Sequence, residues 1–235
     1  MIIKPIKTRV FKEREDLVAF IVHYFKKIPE KSIVVVTSKI VALAEGRMAL
    51  AGDARTKEKL IRAESEYAIR TKYVWLTIKD GMVMASAGID ESNANGKLIL
   101  LPKDSFKTAR MLRAKLQARY GVKRIGVLIT DSRTIPLRAG VTGVALGYAG
   151  FCGIKDYRGT PDIFGRKFTF SRTNVADSLA TAAVAVMGEG NEQQPLAIIE
   201  KFPAKFSDTV NRKELHISIQ DDMYRPLFSK LPKSD

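Results

Sequence analysis

A two-residue turn between apolar segments limits the folds open to this chain. Asp80-Gly81 separates two strand-like runs, residues 73–79 and 82–86, and is the strongest short hairpin signal in the sequence. A hairpin joins antiparallel strands, whereas a doubly wound sheet needs parallel strands joined by helical crossovers. The expected fold class is therefore α+β, with mixed or antiparallel sheets and packed helices.

The rest of the chain alternates irregularly between helix and strand signals, without repeats. Helices are predicted over residues 13–25, 53–70, 104–119 and 174–187, with Asp53, Asp104 or Ser105, and Asn174 or Asp177 as N-caps. Strands are predicted over residues 33–37, 98–101, 125–130, 167–171, 196–199 and 214–219. The glycine-rich segments 140–153 and 159–165 permit close packing or close approach to a ligand. With 235 residues, the chain can form one unit or two intertwined lobes.

Several classes of protein are excluded by what the sequence lacks. Its apolar runs fall short of the roughly 20 residues that a membrane span needs, and the N-terminal residues do not resemble an export signal. Cys152 is the single cysteine and His23 and His216 are the two histidines, which excludes a disulfide framework and a zinc site of thiolates or several histidines. The expected location is the cytoplasm.

The formal net charge of +15 requires an explanation. The densest basic stretch is residues 110–124, where six lysines and arginines alternate with Leu112, Leu116 and Tyr120 at helical spacing. A solvated helix face is favoured over an RNA-binding surface. A third interpretation is that the excess charge serves nucleotide and polycarboxylate substrates.

Three short acidic stretches stand out against this basic background: residues 88–93, 130–132 and 188–192. Each places a carboxylate beside glycine, serine or threonine just after an apolar run, where a fold can present hard oxygen ligands to a divalent cation. Each also has a structural interpretation. Asp90 could form an Asx turn, Asp131 could cap a turn or helix, and Glu189 could be a solvated loop acid.

An ordered series of motifs resembles one enzyme family. The series includes Ser38-Lys39-Ile40-Val41, Ala44-Glu45-Gly46-Arg47, Gly88-Ile89-Asp90-Glu91-Ser92-Asn93, Thr130-Asp131-Ser132, Pro136-Leu137-Arg138-Ala139-Gly140, Asp162-Ile163-Phe164-Gly165-Arg166 and Met187-Gly188-Glu189-Gly190. Together they resemble the coenzyme F420 gamma-glutamyl ligases over nearly the whole chain. A single motif would be weak, but the combination in this order is specific.

The resemblance implies a GTP-dependent ligase with an intertwined homodimeric fold. Such an enzyme joins L-glutamate to a carboxylate acceptor, the deazaflavin coenzyme F420 precursor, through an acyl phosphate. It also implies Mg²⁺ or Mn²⁺, as two ions, with room for a monovalent cation. Neither a membrane nor nucleic acid is an expected partner.

The same resemblance assigns roles to individual residues. The implied metal ligands are Asp90, Asp131, Ser132 and Glu189, and the implied catalytic residues are Asp131 and Arg138. The implied nucleotide contacts are Thr8, Arg9, Val10, Phe11, Ser38, Lys39, Asn93, Met187, Gly188, Gly190, Asn191, Glu192, Gln193 and Gln194.

Two positions depart from the family pattern. Leu43 stands where a lysine commonly precedes Ala-Glu-Gly-Arg, and Thr134-Ile135 replaces the usual Gly-Arg before Pro136. The second change suggests a different acceptor, such as a folate-like molecule or another carboxylate. A basic RNA-binding protein without catalysis on the same scaffold is the alternative from another class.

Overall fold

The computed structural model describes residues 1–228. In chain order the elements are β1 (Ile2–Ile6), α1 (Leu17–Tyr24), β2 (Ser32–Thr37), α2 (Ser38–Glu45), β3 (Met48–Leu50), α3 (Ala54–Ala63), β4 (Tyr67–Arg70), β5 (Trp75–Lys79), β6 (Met82–Ala85), a 3-10 turn (Ser86–Gly88), β7 (Lys97–Ile99), α4 (Ser105–Tyr120), β8 (Ile125–Thr134), β9 (Val141–Ala149), β10 (Ile154–Asp156), β11 (Arg172–Asn174), α5 (Val175–Met187), β12 (Leu196–Glu200) and α6 (Arg225–Phe228). The mixture of helices with antiparallel and mixed sheets confirms the α+β class.

The described residues form two compact units. The first comprises Met1–Gly46 and Pro102–Leu215, and the second comprises Arg47–Leu101 with residues 216–228. The first unit is built on a five-stranded sheet in the order β1-β12-β2-β8-β9. Only β2 and β8 run parallel in that sheet. The helical crossover that parallel strands require includes α2 and α4.

The core of the first unit lies between its sheet and α5. Val35 and Leu128 on the sheet are fully buried, as are Leu179, Ala180 and Ala183 on the helix. The backbones approach closely because β9 carries glycine where large side chains would interfere. A Cβ atom at Gly143 would lie 2.3 Å from the Ala180 carbonyl oxygen, and one at Gly147 would lie 2.5 Å from the carbonyl carbon of Ser105 on α4. The predicted use of the glycine-rich segment 140–153 in close packing is thus confirmed for this strand.

Residues 202–215, which we call the C-terminal strap, pack onto the same core. Phe202, Phe206 and Leu215 contact it. Glu214 Oε1 accepts hydrogen bonds from the Tyr148 hydroxyl (2.6 Å) and the Gly153 amide (2.7 Å). Burial, together with the hydrogen bond to Glu214, raises the pKa of Tyr148 above its usual value. The strap is therefore part of the folded unit.

The second unit contains the predicted hairpin. Strands β4, β5 and β6 form an antiparallel sheet, and Lys79 pairs with Met82 across the turn. Asp80 and Gly81 have φ values of 50° and 71°, the left-handed conformation that a type I′ turn requires at both central positions. The sheet packs its Trp75 against Ile61 of α3 and Leu98 of β7.

An ion-pair cluster in the second unit joins the residue after α3 to the residue before β3 and to the last residue of β5. Glu64 accepts hydrogen bonds from Arg47 (2.7 Å) and Lys79 (3.0 Å). Burial alone would raise the pKa of Glu64, but these two cations outweigh it and lower that pKa below its usual value. Arg47, the last residue of the Ala44-Glu45-Gly46-Arg47 motif, is thus engaged in a structural ion pair.

Three predicted elements were wrong. The helix predicted over residues 53–70 ends at Ala63, and Tyr67–Arg70 forms β4, because sheet pairing with β5 overrides the local helical composition. Residues 167–171 form no strand; β11 begins later, at Arg172. Residues 214–219 also form no strand, since Glu214 is held by Tyr148 and Gly153. Within residues 1–228, no helix has the length and apolar character needed to cross a membrane.

Candidate functional site

The site is built where β2 ends beside its parallel neighbour β8. Thr37, the last residue of β2, pairs with Thr130, and α2 begins immediately afterwards at Ser38. Ser38, only 6% exposed, donates its hydroxyl hydrogen bond to Asp131 Oδ1 at 3.2 Å. The carboxylate is thus linked to the first turn of a helix, where the backbone dipole favours negative charge.

Asp131 lies within β8 and not after it, which corrects the predicted end of that strand at Thr130. Strand β8 continues to Thr134, and Asp131 pairs with Val144 of β9. The register shifts between Ile129 and Thr130, so β9 carries an extra residue opposite this point. Such bulges alter the local twist and often occur beside functional sites.

Glu189 joins the site from the end of α5. That helix ends at Met187, and Gly188, with φ of 84°, turns the chain as predicted. Glu189 Oε2 accepts a hydrogen bond from the Ser132 hydroxyl at 3.0 Å. Ser132 follows Asp131 directly in β8, and successive side chains of a strand point to opposite faces of the sheet. The Ser132–Glu189 pair and the Ser38–Asp131 pair are therefore two separate hydrogen-bonded pairs at one stretch of β8.

The fourth predicted ligand, Asp90, belongs to the second unit. Its carboxylate accepts hydrogen bonds from the Ser92 amide (2.7 Å) and hydroxyl (2.9 Å), the arrangement of an Asx turn. Its backbone pairs with Ile99. Asn93, a predicted nucleotide contact, lies in the same segment and has a φ of 54°. The Asx-turn interpretation of Asp90 is thus realised, and a metal-binding role for it stays a prediction.

Three of the segments predicted to bind nucleotide meet in the first unit. The Thr8 amide donates to the Gln193 carbonyl at 2.8 Å, and the Thr37 amide donates to the Pro195 carbonyl at 3.0 Å. The first contact joins the segments 8–11 and 187–194, and the second joins the residues that directly adjoin the segments 38–39 and 187–194. Within the first segment, Thr8 and Phe11 are 5% exposed and Val10 is 69% exposed. The Phe11 ring packs edge-on against Phe20, so it contributes mainly to the core.

Arg9 is held by an ion pair with Glu15. The guanidinium binds both carboxylate oxygens, one of them at 2.9 Å. The hydrogen bond from Arg9 is the main reason why the pKa of Glu15 falls to about 2. A phosphate group that recruited Arg9 would compete with this carboxylate.

We expect the Glu15 carboxyl to titrate near pH 2. A lowered pKa stabilises the folded state above the ordinary value near 4.5, and that contribution is lost as the pH falls toward 2. Carbon-13 NMR of the Glu15 side chain measures the midpoint. Arg9→Gln should return it toward 4.5, whereas a wild-type midpoint already near 4.5 would contradict the pairing.

The donor set is compatible with a hard divalent ion. Asp131 and Glu189 supply anionic oxygens and Ser132 a neutral one, the ligand type that Mg²⁺ and Mn²⁺ prefer. Among residues 1–228, no group of three or more histidine, cysteine or acidic side chains is assembled for a metal. Magnesium sites usually combine one or two carboxylates with water and substrate phosphates, so a single carboxylate of this set can contribute to one.

Two buried polar atoms lie in the site without a hydrogen-bond partner in the described structure. They are the Thr130 hydroxyl and the Gln194 side-chain oxygen. Unsatisfied buried groups are costly and are often completed by a ligand, ion or water. Thr130 belongs to the acidic stretch 130–132, but no role is predicted there for its side chain. The sequence feature that distinguishes Thr130 is its hydroxyl, which directly follows the apolar run 125–129.

Arg138, the second predicted catalytic residue, lies in the exposed connection between β8 and β9. Its amide donates to the Ile135 carbonyl at 3.2 Å. Leu137 beside it is fully exposed and has a φ of 59°. The structure places Arg138 on the hairpin whose first strand carries Asp131. Its part in catalysis stays a prediction.

Comparison with known proteins identifies similar sequences. A family model described as F420-0:Gamma-glutamyl ligase matches residues 5–201. A Methanococcus maripaludis protein named Coenzyme F420:L-glutamate ligase is 38% identical over 169 residues, covering 71% of this chain and 67% of the relative. A Methanopyrus kandleri protein of the same name is 41% identical over 148 residues, 62% of this chain and 58% of the relative. A Halobacterium salinarum protein of that name is 29% identical over 90% of both chains.

Proposed function

Because this chain belongs to the F420-0:gamma-glutamyl ligase family, we propose that it joins L-glutamate to the coenzyme F420 precursor through an amide bond. GTP is the energy source and Mg²⁺ or Mn²⁺ the metal cofactor in this proposal. The observation that carries it is the pair of hydrogen bonds at one stretch of β8 beside the end of β2, from Ser38 to Asp131 and from Ser132 to Glu189. The family match supports a ligase that forms carbon–nitrogen bonds. The use of GTP and of a divalent metal ion is part of the proposal.

The proposed reaction has two steps. An acceptor carboxylate oxygen attacks the γ-phosphorus of GTP, so that an acyl phosphate forms and GDP leaves. The amine of L-glutamate then attacks the acyl carbon, the amide bond forms, inorganic phosphate leaves, and the amine loses a proton. A divalent ion, when bound, neutralises charge on the transferring phosphoryl group.

The site residues would orient the nucleotide for this transfer. Asp131, Ser132 and Glu189 would hold the ion, and the N-terminal amides of α2 would face the phosphates. The loop after α5 is acidic because it contains Glu189 and Glu192. The Glu192 carboxylate accepts a hydrogen bond from the Gly190 amide at 2.8 Å. With Glu189 and Glu192 on this loop, a triphosphate would be repelled unless a cation lay between them. This electrostatic conflict supports metal dependence.

Calorimetry tests nucleotide and metal binding separately from catalysis. Wild-type protein should bind GTP with Mn²⁺ present and bind it more weakly with a chelator, and ATP compared in parallel measures the base preference. Incubation with GTP, Mn²⁺, L-glutamate and the F420 precursor should add glutamyl units detectable by mass spectrometry. Failure to bind any nucleotide would overturn the proposal.

A different acceptor is the second candidate. Ile135 replaces a commonly basic position beside Arg138 and is 41% exposed on the β8–β9 connection. An apolar side chain there would favour an acceptor with less negative charge near the reacting carboxylate. Nucleotide binding without any glutamylation of the F420 precursor, but with addition to a folate-like carboxylate, would select this candidate.

We also propose that the enzyme is a homodimer. Residues 157–171 carry large apolar side chains that a monomer leaves in water: Ile163 is 91% exposed, Phe164 89% and Phe170 87%. Clustered exposure of this kind often marks a protein–protein interface. An intertwined homodimer is the arrangement that the family resemblance implies.

Replacing Ile163 and Phe164 with serine should therefore weaken dimerisation at least about tenfold, since each side chain contributes roughly 1–3 kcal/mol when buried. Sedimentation equilibrium measures the dissociation constant. Tyr73→Ser changes a residue that is 83% exposed in the second unit and serves as the control. A wild-type protein that sediments as a monomer would contradict the proposal.

A further inference from the structure

Thr130 has a buried hydroxyl without a hydrogen-bond partner. The residue is 1% exposed, and its Oγ1 atom forms no hydrogen bond within residues 1–228. An unpaired hydroxyl in a protein interior is unfavourable because it has lost its hydrogen bonds to water. Almost all buried polar groups in folded proteins have a partner, and exceptions often mark a place that water or an ion completes. The Thr130 hydroxyl therefore requires an explanation.

This hydroxyl lies on the face of β8 that packs against α5. Leu128 belongs to the core between the sheet and α5, and side chains two positions apart in a strand share a face. Thr130 also pairs with Ala145 of β9, another residue of that core. Ser132 lies two positions further along the same face and donates its hydroxyl to Glu189 Oε2 at 3.0 Å. Thr130 therefore belongs with the Ser132–Glu189 pair.

The spacing along β8 suits a hydrated ion. Residues two apart in a strand are separated by about 6.6 Å. Magnesium holds its ligands at about 2.1 Å, and a hydrogen bond to a coordinated water adds about 2.8 Å. An ion bound by the Ser132 hydroxyl and the Glu189 carboxylate can therefore have one of its waters within hydrogen-bonding distance of Thr130.

We propose that Thr130 is a positioning residue for a divalent ion held by Ser132 and Glu189, and that its hydroxyl binds a water of the ion's hydration shell. This inference rests on the proposed function. Magnesium gives up water reluctantly and usually keeps several waters in protein sites, so a buried hydroxyl beside the site has a partner to bind. Completing one buried polar group in this way strengthens ion binding roughly 5- to 150-fold.

Ion binding in this proposal moves the loop after α5. The Thr130 hydroxyl is inaccessible to water in the free protein, so neighbouring atoms have to shift before it gains a partner. Glu189 is exposed on the loop that begins at Gly188, and it contacts β8 through its hydrogen bond from Ser132. An ion inserted between Ser132 and Glu189 replaces that hydrogen bond. The space beside Thr130 then opens to the ion's water shell.

Replacing Thr130 with valine should have opposite effects on stability and on binding. In urea denaturation without ligands, the midpoint should rise because an unpaired buried hydroxyl is removed. In calorimetric titrations of Mn²⁺ at a fixed GTP concentration, the dissociation constant for Mn²⁺ should increase at least about fivefold. Thr130→Ser keeps the hydroxyl and should bind Mn²⁺ nearly as the wild type does.

Thr77→Val is the matched control. Thr77 in the second unit is also fully buried, but its hydroxyl donates to the Met84 carbonyl (2.7 Å) and accepts from the Ala87 amide (2.8 Å). Valine at this position leaves two buried backbone groups unpaired, so the urea midpoint should fall. The affinities for Mn²⁺ and GTP should stay at their wild-type values.

Three results would overturn the role of Thr130 while leaving the ligase proposal intact. The first is a lower urea midpoint in Thr130→Val, which would show that the hydroxyl already has a structural partner. The second is unchanged Mn²⁺ affinity in that variant. The third is an equal loss of affinity in Thr130→Ser, which would assign the effect to side-chain shape.

GTP titrations with a chelator in place of Mn²⁺ separate the ion from the nucleotide. Wild type and Thr130→Val should bind GTP equally under these conditions. Weaker GTP binding by the variant without metal would show a contact with the nucleotide itself and overturn the assignment to the ion's water shell. A wild-type protein that binds no nucleotide with or without Mn²⁺ would overturn the proposed ligase function and the role of Thr130 together.

Discussion

Replacing Asp131 with asparagine is expected to reduce glutamate ligation at least about 100-fold. The substitution keeps an oxygen that can accept the hydrogen bond from Ser38, so the local fold should persist. It removes the negative charge that would hold the divalent ion, and an ion in phosphoryl transfer contributes several kcal/mol to transition-state stabilisation. Each tenfold loss in rate corresponds to about 1.4 kcal/mol. Product formation by mass spectrometry and Mn²⁺-dependent GTP binding by calorimetry measure the two effects.

The control for this prediction is Asp80→Asn. It makes the same chemical change in the type I′ turn of the second unit, where Asn-Gly is a favoured sequence. Activity should be retained in this variant. If Asp131→Asn binds GTP and Mn²⁺ as the wild type does and remains active, the carboxylate at β8 is not a metal ligand and the proposed mechanism is wrong.

Replacing Leu128 with alanine is expected to lower the free energy of unfolding by about 3 kcal/mol, within a range of roughly 2–5. Leu128 lies in β8, three residues before Asp131, and its side chain is fully buried where the sheet packs against α5. The lost side chain leaves a cavity that this tightly packed interface can fill only in part. Urea denaturation measures the change, with an unchanged slope indicating that the surface exposed on unfolding is the same.

Leu50→Ala is the matched control for the buried leucine. Leu50 is 78% exposed, so the same truncation should change stability by less than about 0.5 kcal/mol. Equal effects at the two positions would contradict the described core. A loss of GTP binding in Leu128→Ala at temperatures where the protein stays folded would show that the site depends on this packing.

Local signals predicted those elements whose ends are specified by single residues. Helix α4 begins after Asp104 and ends at Tyr120, before Gly121, whose φ of 64° suits glycine, and the Asp80-Gly81 hairpin forms as expected. The failures came where distant residues decide. Residues 67–70 pair with β5, and Glu214 is fixed by Tyr148 across the first unit. Such contacts leave no trace in a local sequence pattern.

The candidate site was predictable in its residue types but not in its organisation. Acids beside glycine and serine pointed to Asp131, Ser132 and Glu189, of which Ser132 and Glu189 are hydrogen-bonded to each other. The sequence did not reveal that Ser38 would bind Asp131, because β2 and β8 are separated by nearly 90 residues and become neighbours only through parallel pairing. The orphaned Thr130 hydroxyl likewise becomes visible only once its neighbours are known.

The C-terminal strap has a practical consequence for defining the protein's minimal soluble form. The family match ends at residue 201, yet the strap that follows covers apolar core surface with Phe202, Phe206 and Leu215. A recombinant fragment trimmed to the matched region would expose that surface and leave the buried Tyr148 hydroxyl without its acceptor. The boundaries of the family match therefore understate the length of polypeptide that the folded first unit requires.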